Sequence, residues 1–138
     1  MPQVHINYLA VLVAAVVAFA IGGLWYSPLL FANLWVKAHG YTEERVKEMQ
    51  SGAGKAYAVS LVCQLLIAMA IAVFVGYLQL RPVSQGLKLG LLAWVGFAFP
   101  LGLMATMFTE KKLTVFWIDT GYQLVYLLVM ASIITVWR

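Results

Sequence analysis

Residues 56–78 read AYAVSLVCQLLIAMAIAVFVGYL and contain no charged side chain. A helix rises ~1.5 Å per residue, so this stretch is long enough to cross the ~30 Å hydrocarbon core of a bilayer. Its apolar residues run continuously instead of alternating, which favours a helix over a strand. We therefore predict a transmembrane helix over Ala56–Leu78.

Three further apolar stretches have a similar length: Ile6–Leu24, Leu89–Phe108 and Leu113–Trp137. The 138-residue chain is 64% hydrophobic and 10% charged, whereas soluble domains are ~25% charged. A soluble fold of this length has too little interior for so much apolar surface. The sequence predicts an all-α integral membrane protein with four transmembrane helices in a single domain, residues 1–138.

The largest predicted loop, Trp25–Lys55, contains signals for two short helices. Ser27 and Pro28 are residues that favour a helix start. The apolar residues that follow them have helical spacing: Leu30, Phe31, Leu34 and Trp35. We predict a short interfacial helix over Pro28–Ala38 that lies along the membrane surface, and a second helix that starts at Thr42.

The distribution of Lys and Arg predicts the orientation in the membrane. Four spans place the Trp25–Lys55 loop and the Thr109–Lys112 turn on one side, with six basic residues: Lys37, Arg45, Lys47, Lys55, Lys111 and Lys112. The other side holds three: Arg81, Lys88 and Arg138. The positive-inside rule then puts both termini outside the cytoplasm.

Several motifs occur in an order that resembles a known family. They are the stretches INYLA at 6–10, GGLWYSPLLF at 22–31, GKAY at 54–57 and IDTGYQL at 118–124, together with Trp35. The chain resembles the domain of unknown function 1761 family over nearly its whole length, although Ala32 stands where many members carry Gly. The resemblance implies a small bacterial inner-membrane protein with four helices, and it implies no activity.

One ionisable residue lies inside a predicted span. Asp119 is about six residues, or ~9 Å, past the membrane entry, where an acid is costly against lipid. The residues at helical spacing from it form a polar stripe: Tyr122, Gln123 and Tyr126. Polar residues at similar depth on the other spans are Tyr57, Ser60, Gln64 and Thr106. We expect the Asp119 carboxyl to point into the bundle or a protomer interface and to bond at least one polar group, with these four residues as candidates.

Two interpretations of this polar stripe remain open. Polar residues in membrane helices pack helices together through hydrogen bonds, and Asp119 could instead extend to a Lys at the rim. They also form sites for a substrate, an ion or a proton.

Two features outside the stripe have ordinary structural explanations. Pro100 should kink the third helix. The motif Trp25, Tyr26, Ser27, Pro28 fits an aromatic belt at the interface.

Sites for other chemistry are missing from the sequence. His5 and His39 fall on opposite membrane sides in this topology and Cys63 has no evident partner, so we predict no metal site and no cofactor. No catalytic motif is present, which argues against a self-contained enzyme. No basic patch is interleaved with aromatic residues, so nucleic acid is not an expected partner.

Two function classes follow for a chain whose expected partners are membrane lipids, further copies of itself or other membrane proteins. The first is a small carrier or channel for a small solute, ion or proton, working as a homo-oligomer. The second is a structural or accessory subunit that packs against other proteins or lipids. Rows of small residues at every fourth position leave room for a self-association face in either case, and one such row is Gly86 and Gly90.

Overall fold

The computed structural model describes residues 3–138, and every regular element in this range is helical. The elements are α1 (Tyr8–Trp25), α2 (Ala32–His39), α3 (Glu43–Ser51), α4 (Ala53–Tyr77), α5 (Val83–Ala93), a π-helical segment (Trp94–Ala98), α6 (Phe99–Phe108) and α7 (Leu113–Val136). Four helical stretches are long and apolar enough to span a membrane: α1, α4, the continuous helix from α5 through α6, and α7. The prediction of an all-α chain with four such helices is confirmed.

The third of these helices begins earlier than the sequence predicted. Its first residue is Val83, not Leu89. Pro82 precedes the helix in an extended conformation, and its carbonyl accepts the first bond of the helix from the N–H of Gln85 at 3.0 Å. The exposed Lys88 interrupts the apolar run but not the helix, which is why hydropathy placed the boundary too late.

The helix predicted to start at Pro28 begins four residues later, at Ala32. The hydroxyl of Ser27 donates to the carbonyl of Leu24 at 2.6 Å, so it caps the end of α1 instead of opening α2. The N–H of Phe31 bonds back to the carbonyl of Trp25 at 3.1 Å and closes a compact turn. The helix α2 then packs against α7. Its alignment along a membrane surface stays a prediction.

The second short helix follows the expected capping chemistry. The side chain of Thr42 accepts a hydrogen bond from the N–H of Arg45 at 3.2 Å, and Glu43 and Glu44 occupy the first turn of α3. Acidic residues there interact favourably with the positive end of the helix dipole. The prediction of a helix that starts at Thr42 is confirmed to within one residue.

The last helix, α7, forms the centre of the bundle. In its most apolar window 44% of the residues are buried, against 6% for the helix from α5 through α6. It packs against α1, α4 and α5. Its residues Met130 and Ala131 are fully buried beside Ala14 and Ala18 of α1 and Ala68 of α4. Any polar residue of α7 therefore has neighbours from several helices.

A π-helical segment interrupts the third helix just before Pro100. The N–H of Phe99 bonds to the carbonyl of Trp94, five residues back, and Pro100 follows without an N–H to donate. Long helices bend at π segments as well as at prolines, so two local features favour the kink at Pro100, which stays a prediction. The same segment also turns Trp94 toward α7.

Two glycines allow α5 and α7 to approach closely. A Cβ atom built on Gly90 would lie 2.8 Å from the carbonyl oxygen of Leu127, and one built on Gly86 would lie 2.8 Å from that of Ala131. Both obstacles are backbone atoms, which cannot rotate away as a side chain can. This row of small residues is therefore used inside the protomer.

We predict that Gly90→Ala destabilises the bundle. The added methyl group must push α5 away from α7, and such overpacking typically costs ~1–3 kcal/mol of unfolding free energy. Gly23→Ala is the matched control, because a Cβ there meets no atom within 4 Å. Denaturant unfolding in detergent micelles, followed by circular dichroism, measures both. Equal stability of the two variants would contradict the close approach.

Candidate functional site

Asp119 lies in the second turn of α7 and is half-buried. Its oxygen Oδ1 accepts two hydrogen bonds, from the hydroxyl of Tyr26 at 2.6 Å and from the indole Nε1 of Trp35 at 3.2 Å. Both donors are neutral side chains of the segment that joins α1 to α3. Within residues 3–138, no hydrogen bond reaches the second oxygen, Oδ2. The carboxyl therefore holds the loop with one oxygen only.

The hydroxyl of Tyr26 is a committed donor. Burial, and then its bond to Asp119, raise the pKa of this tyrosine far above its ordinary value of 10.0. The short distance is typical of a hydrogen bond to an ionised acceptor. Tyr26 consequently stays protonated, and its hydroxyl donates a hydrogen bond to the carboxylate.

Two more indoles bind the residues on either side of Asp119. Nε1 of Trp25 donates to the carbonyl of Ile118 at 2.9 Å. Nε1 of Trp94 donates to the carbonyl of Thr120 at 2.8 Å. Together with Trp35, three tryptophans from three parts of the chain bond three consecutive residues of α7, and we call this arrangement the indole clamp. It fixes the depth and rotation of α7 at the level of Asp119.

His39 and Tyr41 extend the aromatic surface beyond Trp35. The rings of His39 and Tyr41 stack, with their centroids 4.7 Å apart and their planes 5° apart. The ring centroids of His39 and Trp35 are 4.2 Å apart. Burial, more than the positive charge of Lys111, lowers the pKa of His39, and the negative charge of Asp119 opposes this shift. The imidazole is thus neutral near pH 7 and adds no positive charge beside Asp119.

A second polar chain crosses the bundle one turn deeper. The amide Nε2 of Gln64 donates to the hydroxyl of Tyr122 at 3.0 Å, and that hydroxyl donates to the carbonyl of Ala18 at 2.7 Å. It links α4, α7 and α1. Gly22 makes room for it, because a Cβ there would lie 2.6 Å from the tyrosine oxygen.

Two cavities flank Asp119. The smaller, of about 140 Å³, lies between α6 and α7 and has Thr106 and Lys111 in its wall. The larger is a groove of about 390 Å³ between α4 and α7. We call it the α4–α7 groove, and its lining is Tyr26, Val59, Ser60, Cys63, Gln64, Ile67, Asp119, Tyr122, Gln123 and Tyr126. Asp119 and Gln123 line both cavities, so one face of α7 is reachable from two sides.

The structure brings together most of the residues singled out in the sequence. The stripe Tyr122, Gln123 and Tyr126 turns inward with Asp119, and Tyr126 is 8% exposed. Ser60 and Gln64 lie in the groove with them. Tyr57 does not join this group, because it is 60% exposed and packs edge-on against Phe19. A functional role for these residues stays a prediction.

The expectation that the Asp119 carboxyl bonds at least one polar group is confirmed, but the four candidate partners were wrong. None of Tyr57, Ser60, Gln64 and Thr106 bonds the carboxyl: Gln64 bonds Tyr122, and the hydroxyl of Thr106 donates to the carbonyl of Gly102 at 2.8 Å. The actual donors come from the loop, which folds back over the end of α7. The aromatic-belt interpretation of Trp25 and Tyr26 does not account for these inward bonds.

Sequence reasoning missed Trp35, His39, Tyr41 and Trp94 as neighbours of this site. One signal for Trp35 was available, since the predicted topology places the Trp25–Lys55 loop on the membrane side where Asp119 enters. Trp94 offered no such signal, because its direction depends on the π-helical segment. Within residues 3–138, no group of three or more His, Cys, Asp or Glu side chains could hold a metal ion.

A family model described as "Protein of unknown function (DUF1761)" matches residues 9–135. The chain belongs to the DUF1761 family. The match covers both the loop donors and Asp119, so the resemblance inferred from the motifs is confirmed. Searches of curated proteins and of solved structures return no match.

The raised pKa of Tyr26 makes a prediction at alkaline pH. In the unfolded chain Tyr26 ionises near ~10, whereas in the folded DUF1761 protein it resists ionisation. Folding stability from this group is therefore present below pH ~10 and is lost as the pH rises further. We expect the unfolding free energy of Tyr26→Phe to fall less steeply above pH 10 than that of the wild type.

The same variant also makes a spectroscopic prediction. Absorbance of tyrosinate near 295 nm should show the same number of tyrosines ionising near pH 10–11 in Tyr26→Phe and in the wild type. Loss of one group in Tyr26→Phe would show that the hydroxyl is not held by Asp119.

Proposed function

We propose that this DUF1761 protein is a small carrier or channel of the bacterial inner membrane, and that Asp119 binds the solute, ion or proton that it moves. One observation carries the proposal: the carboxyl lies between two cavities and is held by neutral donors on one oxygen only. The ion pair found within residues 3–138 joins Arg45 and Glu48 on α3, away from Asp119. Acids inside spans commonly mark ion or proton pathways.

A homo-oligomer would complete such a pathway. Four helices are too few to enclose a wide path, and each cavity lies between α7 and one neighbouring helix. The helix from α5 through α6 has little buried surface within the protomer. Large apolar side chains on this helix, such as Leu92, Phe97 and Phe108, are exposed and available to lipids or to a second copy.

The indole clamp favours a second candidate, a structural or accessory subunit that packs against lipids or other membrane proteins. The bonds from Tyr26 and Trp35 hold the loop against α7, and those from Trp25 and Trp94 hold the end of α1 and the third helix against it. In this case Asp119 serves only as a hydrogen-bond acceptor for the loop, and its negative charge binds no solute, ion or proton. The two candidates differ in whether the charge of Asp119 is needed after folding.

We predict that Asp119→Asn strongly reduces transport while the protein stays folded. The amide oxygen of Asn can still accept from Tyr26 and Trp35, but the charge is lost. Losing a charge-assisted contact worth ~1.5–3 kcal/mol should weaken binding by about tenfold or more. Proton flux into liposomes holding a pH-sensitive dye measures the effect, with Glu48→Gln as the control for an acid outside the bundle.

If the proton flux of Asp119→Asn equals that of the wild type, the carrier proposal is rejected in favour of the accessory subunit. Under that alternative Asp119→Leu, which removes the acceptor, should lower the melting temperature in micelles. Asp119→Asn should leave the melting temperature nearly unchanged.

We also propose that both termini face away from the cytoplasm. Six basic residues flank the loop side and three the other side, and the positive-inside rule sets orientation from such a bias. The amide of Asn7 donates to the carbonyl of Trp137 at 3.0 Å, so the start of α1 and the end of α7 share one end of the bundle.

A reporter enzyme fused after Arg138 tests this orientation. We expect alkaline phosphatase, which is active only outside the cytoplasm, to be active there, and a cytoplasmic fluorescent reporter to stay dark. Fusions inserted at Gly52, between α3 and α4, should give the opposite pattern. A fluorescent C-terminal fusion would overturn the orientation.

A further inference from the structure

Three residues that line the α4–α7 groove each carry an acceptor oxygen to which no described residue donates a hydrogen bond. Gln64 is 6% exposed, and its oxygen Oε1 is buried. Gln123 also buries its Oε1, and it lines the groove beside Asp119. Within residues 3–138, neither amide oxygen accepts a hydrogen bond, and neither does Oδ2 of Asp119. A buried acceptor without a donor is costly.

The hydrogen-bond chain fixes the orientation of the Gln64 amide. The hydroxyl of Tyr122 gives its proton to the carbonyl of Ala18, so it can only accept from Gln64. Gln64 must therefore present its NH₂ group to Tyr122 and keep its oxygen for another donor. The hydrogen bonds from Gln64 to Tyr122 and from Tyr122 to Ala18 therefore leave the Gln64 amide oxygen as an acceptor for another donor.

Three tyrosine rings also line the groove. Tyr122 and Tyr126 pack edge-to-face with centroids 4.8 Å apart, and Tyr26 packs edge-to-face against Tyr122 at 5.6 Å. Aromatic faces attract cations, most strongly where water is excluded. The volume of about 390 Å³ lies within the range of small-molecule sites, ~300–1,000 Å³, and exceeds what a bare metal ion fills.

From these features we infer that the α4–α7 groove binds a small organic ammonium ion with N–H donors, that is, a protonated amine. The N–H groups bond the carboxylate and the two amide oxygens, and the hydrocarbon part of the amine packs against the tyrosine rings. This inference rests on the proposed role of Asp119 as the binding group and names the class of solute it takes.

The single cysteine provides a native reporter for this test. Cys63 is exposed and lines the groove, so an amine bound there should shield its thiol from the neutral reagent N-ethylmaleimide. In detergent micelles, benzylammonium should slow this labelling in a saturable manner. Benzyl alcohol, which has the same shape without charge, should not slow it. Benzyltrimethylammonium, which has charge without an N–H, should protect at least about tenfold less well.

Variants assign the effect to named side chains. Asp119→Asn should weaken protection about tenfold or more, and Gln123→Ala should weaken it severalfold. Gln50→Ala on the exposed face of α3 is the control and should leave protection unchanged. Gln123→Ala leaves the bonds to Tyr26 and Trp35 in place, so it tests the groove even if Asp119→Asn unfolds the protein.

The outcomes separate this inference from the proposed function. If benzylammonium gives no protection while proton flux still depends on Asp119, the inference is wrong and the carrier stands. Equal protection by benzyl alcohol, or by sodium or potassium chloride at the same ionic strength, would also overturn it. Protection that depends on Asp119 in a protein that moves neither protons nor benzylammonium into liposomes would support the amine site and reject the carrier.

Discussion

A carboxyl group on an apolar helix must find donors, and in this protein it finds them in a loop. The bonds from Tyr26 and Trp35 to Oδ1 of Asp119 join segments separated by 93 and 84 residues. An unpartnered acid in hydrocarbon is costly, so the cost of Asp119 is reduced only when the loop folds back onto α7. The position of α2, the end of α1 and the aromatic surface around His39 all depend on this contact.

The indole clamp extends the same constraint to the helices. Trp25 lies at the end of α1 and Trp94 in the π-helical segment, and their bonds to the carbonyls of Ile118 and Thr120 hold the two neighbours of α7 at one level. Tryptophan suits this task because its ring packs as an apolar group while its N–H requires an acceptor. Below the clamp, packing depends on shape, with small residues of α1, α4 and α5 against α7.

The parts of this structure that are local in sequence could be predicted, and the parts that depend on distant contacts could not. Apolar length alone identified the four helices that are long and apolar enough to span a membrane, and capping chemistry placed α3. The start of α2 was wrong because the Ser27 hydroxyl had two possible roles, and its bond to Leu24 decides between them. The inward direction of the Asp119 stripe followed from helical periodicity, whereas the partners of Asp119 did not, because periodicity fixes a face and not what folds over it.

The two donors from the loop bond one oxygen of Asp119 and leave the other for the ligand proposed above. One residue can therefore both support the fold and serve as the proposed binding group. Since Tyr26 and Trp35 share Oδ1, a ligand that bonds Oδ2 need not release the loop. The donors are also neutral, so they do not cancel the negative charge of the carboxylate. Lys111 lines the small cavity on one flank of Asp119, and the α4–α7 groove lies on the other. A cation in the groove and the ammonium of Lys111 are attracted by the same carboxylate from opposite flanks. Each weakens the attraction that the other experiences, so a rim lysine on this side of the bundle sets how tightly the groove can hold a positive charge.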